Sequence, residues 1–461
     1  MGTVASRITV PFAGEGTGTA PMTWAQVGIW KTMVATGINM NIGGTVPMPD
    51  GTPVEEMTTL LRYLASRHQS LRTRLRFGPD GSAEQVLSDS GELEFELLDV
   101  GPDDDAAAVA ERLRARYAAE PFDYEREWPV RMGAVRRGGS LTHVVLMYCH
   151  LAVDGFGIDA IVRDMPNLDP ATGEAKVQVT ALTPFEMAVR QGGGSGHRAS
   201  EKSLRHWEQV LRAIPQRRLG TSNDPRAPRY WELTLRSPTL RLALQVIAQR
   251  TGVGVGHVAL AAYAVALARR TGINPSVAQL VVNNRFRPGC GDSVSQLAQL
   301  GICAIDVDGI GFDEAVRRAF TAATSANMHA YYDPAGLDEV VARVRAERPE
   351  LEYDIIVNDR TAFTAPATVG DAPDAERIEA ARPLTTTWWS RRVDALDAVL
   401  NISFDTTPDA VDVTICADTH RLGPADIEAL ARELESVAVS AAAPRIPAGA
   451  VETAGVRPTR G

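Results

Sequence analysis

The 461-residue sequence switches repeatedly between two apolar periodicities, and it does so on both sides of a glycine-rich stretch, QGGGSGHRAS, at Gln191–Ser200. Strand-like runs such as ELEFELLDV and LTHVVLMYC alternate with VEEMTTLLRYLASRH and AAAVAERLRARYAAE, where apolar residues recur at three- and four-residue steps. Beyond the stretch the mixture returns: SLRHWEQVLRAI and TLRLALQVIAQRTG are amphipathic, and VGHVALAAYAVALARR is apolar nearly all round, the pattern of a buried helix. SVAQLVVN, ICAIDV, EYDIIVN, AVLNISF and AVDVTICAD are strand-like. Alternation of this kind builds layered α/β structure, and the length suits two lobes of roughly 200 residues each. The expected organisation is an N-terminal lobe over 1–190, a flexible linker over 191–200, a C-terminal lobe over 201–443, and a disordered tail over 444–461.

The charge balance narrows the partners. A net charge of −10 lacks the basic footprint that nucleic acid or an anionic membrane requires, so neither is expected as a partner. Lysine occurs only at Lys31, Lys176 and Lys202; the arginine bias reads as the genome composition of a GC-rich bacterium. Cys149, Cys290, Cys303 and Cys416 are widely spaced, with no CxxC or His/Cys cluster, which fits free thiols in a reducing compartment and no metal site. The N-terminus has no apolar signal core, and the longest apolar stretch, Val258 to Ala268, falls short of the roughly 20 residues that span a bilayer. A cytoplasmic location is expected.

The segment VVLMYCHLAVDGFGIDAIVRDM carries the chemistry. Val144 to Tyr148 reads as a strand buried on both faces that stops at Cys149 and His150. From Ile158, the residues Ile161, Val162 and Met165 keep helical spacing, so Asp154 and Gly155 lie where a helix begins and backbone N–H groups are free to face an oxyanion. A histidine there, with an ordinary pKa near 6.5, suits general-base work on an amine or hydroxyl. H-x-x-x-D is short enough to arise by chance, so a purely structural His150 is the competing reading.

The surrounding motifs decide between them. CHLAVDG resembles the HHxxxDG signature of condensation domains of nonribosomal peptide synthetases, in the chloramphenicol-acetyltransferase-like superfamily. MTWAQVGIW at Met22–Trp30 is similar to that family's SxAQxRLW, RHQSLRTRL at Arg67–Leu75 to RHExLRTxF, and PFDYEREWPVRM to the segment before the catalytic strands. PFEMAVRQ, HWEQVLRAIP and LVVNNRFRPG resemble later motifs in the same order, over roughly residues 20 to 440. The resemblance implies two chloramphenicol-acetyltransferase-like α/β lobes in a V-shaped pseudo-dimer with a tunnel between them. It further implies a free-standing condensation enzyme that moves an acyl or aminoacyl group from a phosphopantetheine carrier protein to a small-molecule amine or alcohol. The donor thioester is then a substrate, with no tightly bound cofactor and no metal. His150 takes the place of the catalytic base, Gly155 offers its amide to the tetrahedral intermediate, and Asp154 braces the loop by pairing with Arg67, or alternatively Arg72.

Two departures matter. Cys149 replaces the first motif histidine, and is read as a buried space-filler rather than a nucleophile. QLAQLGICAIDV lacks the Asn of the family's GxFVNT motif. Trp388 and Trp389 in TTTWWSRR are candidates to line the tunnel, with aromatic core packing as the alternative. GVGVG at Gly252–Gly256 reads as a helix start rather than a nucleotide loop, and Ser195 in GGGSG as linker rather than a phosphopantetheine attachment site. No GxSxG elbow is present. Two rival functions share the motifs: an O-acyltransferase using acyl-CoA or a polyketide carrier, and a degenerate condensation-like module that only recruits partners.

Overall fold

The computed structural model describes residues 4–79, 82–216, 219–361 and 373–443. The proposed tail over 444–461 lies outside them. The first half forms β1 (Val4–Ala13), β2 (Gly18–Pro21), α1 (Trp24–Thr36), β3 (Ile42–Pro47), α2 (Val54–Arg67), β4 (Thr73–Phe77), β5 (Ala83–Leu87), β6 (Ser90–Val100), α3 (Ala106–Ala119), β7 (Val130–Arg137), β8 (Ser140–Tyr148), α4 (Gly155–Asp164) and α5 (Pro184–Gly192). Its main sheet has the order β1-β6-β7-β8-β3, with β2-β5-β4 as a small satellite. The parallel pair β6/β7 is joined by the crossover helix α3, as parallel strands require.

That sheet is covered on both sides, which explains the unbroken apolar run of β8. Val145 and Met147 pack under α3 with Val109 and Leu113, while Val144 and Tyr148 join Leu61 and Leu64 of α2 and Ile161 of α4 on the opposite face. A strand pinned from both faces cannot slip by one residue without reversing its whole side-chain set. The backbone that follows Tyr148 therefore leaves the sheet from a fixed point.

The second half forms α6 (Gly194–Ala213), β9 (Tyr230–Ser237), α7 (Pro238–Thr251), α8 (Val255–Thr271), β10 (Ser276–Val282), β11 (Gln299–Ile305), α9 (Phe312–Met328), α10 (Pro334–Glu347), β12 (Ile355–Asp359), α11 (Ala375–Ala381), β13 (Thr386–Val393), β14 (Leu400–Thr406), β15 (Val411–Asp418) and α12 (Pro424–Ala442). Its seven strands run β11-β10-β12-β14-β15-β9-β13. The all-apolar α8 is buried as its composition demands: Val258, Ala261, Ala262 and Tyr263 are inaccessible and share one core with α7, α9 and α12. On the other face of β10 and β11, α6 and α10 close a second core around Trp207 and Leu211.

The glycine-rich stretch is not the flexible linker expected of it. Gln191 and Gly192 finish α5, Gly193 makes the break, and Gly194 to Ser200 are the first turns of α6. Glycine here serves close approach rather than flexibility: a Cβ on Gly196 would lie 2.3 Å from the Gln191 carbonyl oxygen. The helix is held at its far end by Trp207 and Leu211, and Ser200 accepts a hydrogen bond from the Asp333 amide at 2.9 Å. Tertiary contacts thus outweigh the poor helix propensity of four glycines. Ser195 is part of this helix.

Gly196→Val is therefore expected to lower the unfolding free energy by about 1–3 kcal/mol through overpacking. Gly194→Ala, where a Cβ meets only the end of the Arg198 side chain, should be neutral or stabilising by up to about 1 kcal/mol. Denaturant titration of the two variants checks this; equal stability of Gly196→Val and the parent would restore the flexible linker.

Candidate active site

Tyr148 ends β8, and the next six residues form a turn held from both halves of the chain. The Cys149 amide donates to the Pro129 carbonyl at 3.0 Å, Gln26 of α1 donates from Nε2 to the Leu151 carbonyl at 3.1 Å, and the Asp154 amide donates to the Ser295 carbonyl at 3.4 Å. His150 sits in this turn, half-buried as a residue, with Nδ1 wholly enclosed. Nε2 is consequently the nitrogen left for a substrate. Burial lowers the His150 pKa below its ordinary 6.5, against the opposing pull of the His150 and Val153 backbone and the Asp154 charge. The ring is thus neutral, and able to accept a proton, at neutral pH.

Asp154 is the hub of the turn. It caps α4, its Oδ1 accepting from the Gly157 amide at 2.8 Å. The same carboxylate accepts from both terminal nitrogens of Arg285, at 2.8 and 2.9 Å, and from the amides of Leu297 and Ala298 at 2.9 and 3.1 Å. Both side chains of the ion pair are less than a tenth exposed. Arg285 is fixed in turn by the carbonyls of Ser293 and Ser295, each 3.1 Å from Nη2. Gly157 has to be glycine for this to close, since a Cβ there would come within 3.2 Å of Arg285 and 2.4 Å of Val153. Gly155 opens α4, so its amide has no intrahelical acceptor.

The expected partner of Asp154 is therefore wrong in both of its versions. Arg67 turns to the opposite end of α4, where its Nε and Nη2 lie 2.5 and 2.9 Å from the two oxygens of Asp164. Tyr63, His68 and Asn167 complete that cluster. Burial alone would raise the Asp164 pKa, but hydrogen bonds from His68, Arg67 and Asn167 outweigh it and hold the carboxyl well below the usual range. Arg72 is neither the partner nor a surface residue: it is 1% exposed and donates to the carbonyls of Glu15, Gly16 and Ser88. Arginine pairing is a tertiary matter that neighbouring motif positions do not reveal.

Cys149 is packed among Met22, Met33, Leu75, Phe122 and Leu151, and burial pushes its thiol up to about 12. A cavity of about 30 Å³ beside it, lined by Gln26, Ser70, Tyr124 and Glu127 among others, has room for one water. Trp388 and Trp389 sit apart from the Asp154 cluster in the sheet order. They lie on β13, at the far edge of the seven-stranded sheet from the β11 end that touches Asp154; Trp389 packs edge-on against Trp231 and Trp388 is 42% exposed. GVGVG opens α8, with the Asp359 carboxylate set against Gly256.

Sequence reasoning missed Arg285 and Gln26. The signal for the first is NNRFRPG, a cationic run with turn-forming Asn, Pro and Gly directly after a strand-like apolar run; in the structure Asn284 turns there at φ 57. Gln26 lies in the MTWAQVGIW motif, where nothing local shows that its amide reaches the Leu151 carbonyl.

A family model described as "Condensation domain" matches residues 17–357. Among curated proteins, chondramide synthase cmdD of Chondromyces crocatus is 26% identical over 198 residues, 41% of this chain and 5% of that protein. Cyclosporin synthetase simA of Tolypocladium inflatum is 24% identical over 330 residues, 68% of this chain and 2% of that protein. The chain thus spans only a small fraction of these relatives' length. Among solved structures, the condensation domain that mediates chain release from the enacyloxin polyketide synthase superposes with a TM-score of 0.73 at 17% identity, covering 96% of this chain and 86% of that one. SgcC5 from Streptomyces globisporus gives 0.69 at 18%, covering 92% and 98%. The X-domain from teicoplanin biosynthesis gives 0.66 at 19%, covering 94% and 96%. The two α/β lobes of chloramphenicol-acetyltransferase type are common to this fold. Among the described residues no single helix is long and apolar enough to cross a membrane.

Two outcomes follow from this geometry. Asp164→Asn leaves Arg67 without its carboxylate and should cost about 3 kcal/mol at pH 7. Because the folded-state pKa lies below the ordinary 3.8, that contribution is present above pH 4 and lost as the pH falls further, so the gap to the parent should close on acidification. A gap that stays constant between pH 7 and pH 3 contradicts the assignment. Cys149→Ala should keep turnover within about threefold while losing about 1–2 kcal/mol of stability; abolished turnover in a folded variant would make the thiol a nucleophile after all.

Proposed function

The chain belongs to the condensation-domain family, and from that membership we propose that it transfers an acyl or aminoacyl group from a phosphopantetheine carrier to an amine or alcohol acceptor. Condensation domains are acyl-transferring enzymes of nonribosomal peptide and polyketide synthesis that work with carrier-protein domains. What supports the reading for this chain is the placement of His150 in the turn after β8, its Nδ1 enclosed, next to the α4 start at Gly155 and to an Asp154 carboxylate held by Arg285 of the second half.

In the proposed reaction the acceptor nitrogen or oxygen attacks the thioester carbonyl as His150 Nε2 takes its proton. The carbonyl oxygen becomes an oxyanion, to which the Gly155 amide would donate. Collapse expels the carrier thiolate, which recovers the proton from His150 and leaves an amide or ester. No step calls for a metal or a bound cofactor. Asp154 does not transfer protons in this scheme; its oxygens are already committed to Arg285 and three amides. A carrier-borne donor is favoured over a free acyl-CoA by the family's association with carriers.

The test incubates acyl-loaded carrier protein with a panel of amines and alcohols and follows product by mass spectrometry. His150→Ala is expected to lose at least about a hundredfold in rate. With an acceptor alcohol, which does not itself titrate near neutrality, the wild-type rate should hold down through pH 6.5 and fall only below it, where the imidazole protonates. Carrier binding with no turnover in either protein would instead support a recruitment module.

A further inference from the structure

The turn that delivers Arg285 to Asp154 is made by Asn284, and Asn284 is the one residue other than glycine with a positive φ among the described residues. Its φ of 57° is the left-handed conformation, which is costly for most L-residues and is tolerated best by glycine, then asparagine. Glycine would hold that backbone without strain, so what asparagine adds is its side chain. That side chain is 2% exposed with every polar position filled. Nδ2 donates to the carbonyls of Leu297 and Ala330, at 3.1 and 2.7 Å, and Oδ1 accepts from Arg287 Nε at 3.0 Å.

Both carbonyls lead back to the catalytic turn. The Leu297 amide donates to Asp154 Oδ2, so Leu297 is held by Asp154 at its N–H and by Asn284 at its C=O. Arg285, the residue after Asn284, supplies the guanidinium for the same carboxylate. Ala330 lies just past α9, and its neighbour Tyr331 meets Trp24 of α1 at 4.9 Å between ring centroids. Two residues along α1, Gln26 holds the Leu151 carbonyl. One buried side chain thus joins the supports of Leu151 on one side of His150 and of Asp154 on the other.

We propose that Asn284 is a positioning residue for His150, which by fixing Leu297 and Ala330 relative to Arg285 sets where the imidazole stands during acyl transfer. This rests on the acyl-transfer reading above and adds a residue of the second half of the chain that acts on the base through its supports. Without Nδ2, two carbonyls lose their donor and Leu297 is held from one side only, so water reaches the turn more readily. Burial is the leading cause of the low His150 pKa, with the Asp154 charge opposing it, and a looser seam therefore raises that pKa.

Asn284→Gly removes the side chain and keeps the backbone. Histidine-selective NMR, with His150 assigned through His150→Gln, reads the imidazole directly and needs no turnover, so failure of the catalytic reading stays separable. In the wild type His150 should titrate below 6.5, and in Asn284→Gly its pKa should rise by about half a pH unit or more. Ser237→Ala removes the buried cap of α7, beside β9 and away from β11 in the second sheet; it should lower the melting temperature and leave the His150 titration as it is. Asn284→Asp keeps the shape and the acceptor for Arg287 but has no donor, and serves if the glycine variant does not fold: amide exchange at Leu297 and Ala298 should rise about tenfold in it. With carrier and acceptor supplied, Asn284→Gly should lower kcat at least about tenfold while the acceptor KM stays within about threefold. An unchanged titration in folded Asn284→Gly, unchanged exchange in Asn284→Asp, or an equal rise of the His150 pKa in Ser237→Ala overturns the role of Asn284. Absence of turnover in every variant overturns the acyl-transfer reading instead, and the titration still decides for or against Asn284.

Discussion

Everything at the centre of this molecule depends on one carboxylate. Asp154 receives hydrogen bonds from its own helix, from both terminal nitrogens of a guanidinium, and from two amides of the other lobe, five donors that leave none of its roughly four acceptor positions open. Each charge-assisted bond contributes about 1.5–3 kcal/mol, whereas a buried charge left alone costs several. The cluster therefore exists only when all its members are in place. It joins the end of β8, the start of α4 and the long connection between β10 and β11 into one object.

The helix that follows is fastened again at its other end. Asp164 does for the last turn of α4 what Asp154 does for the first, with Arg67 and His68 arriving from the end of α2. A ten-residue helix capped by one arginine-bound aspartate and ending in another leaves little room for His150 to wander relative to the sheet. Orientation of the imidazole is thus set by the enclosing turn, whose His150 and Val153 backbone lies close enough to act on the ring. Its neutrality comes from the same enclosure.

How much of this the sequence disclosed depends on whether the information was local. The strand Val144–Tyr148, its abrupt stop, the helix start at Asp154 and Gly155, and the buried helix around Tyr263 were all legible, because each is a statement about neighbouring residues and their apolar period. The motif order disclosed the two lobes. What could not be read was which arginine meets which aspartate. Arg67 and Arg285 stand at 87 and 131 residues from Asp154, and nothing local distinguishes them; only the sheet order places β10 beside the turn. The glycine-rich stretch misled for a related reason. Glycine marks both a flexible chain and a close approach, and the choice was made by Gln191 and Trp207, which lie outside the stretch or at its border.

The clasp also ties chemistry to the docking of the lobes. His150 and Asp154 belong to the first half of the chain, but Arg285, Leu297 and Ala298 belong to the second, and Val294 is buried among the core residues of the first. Were the lobes to part at this seam, Asp154 would lose its guanidinium and two of its amides together. The turn would then keep Gln26, the Pro129 contact, its own Ala152–Cys149 hydrogen bond and the Gly157 cap. Water entering there would remove the desolvation that keeps the imidazole pKa low and return it toward 6.5. The protonation state of His150 and the closure of the two lobes are in this sense linked, because burial at the same seam bears on both.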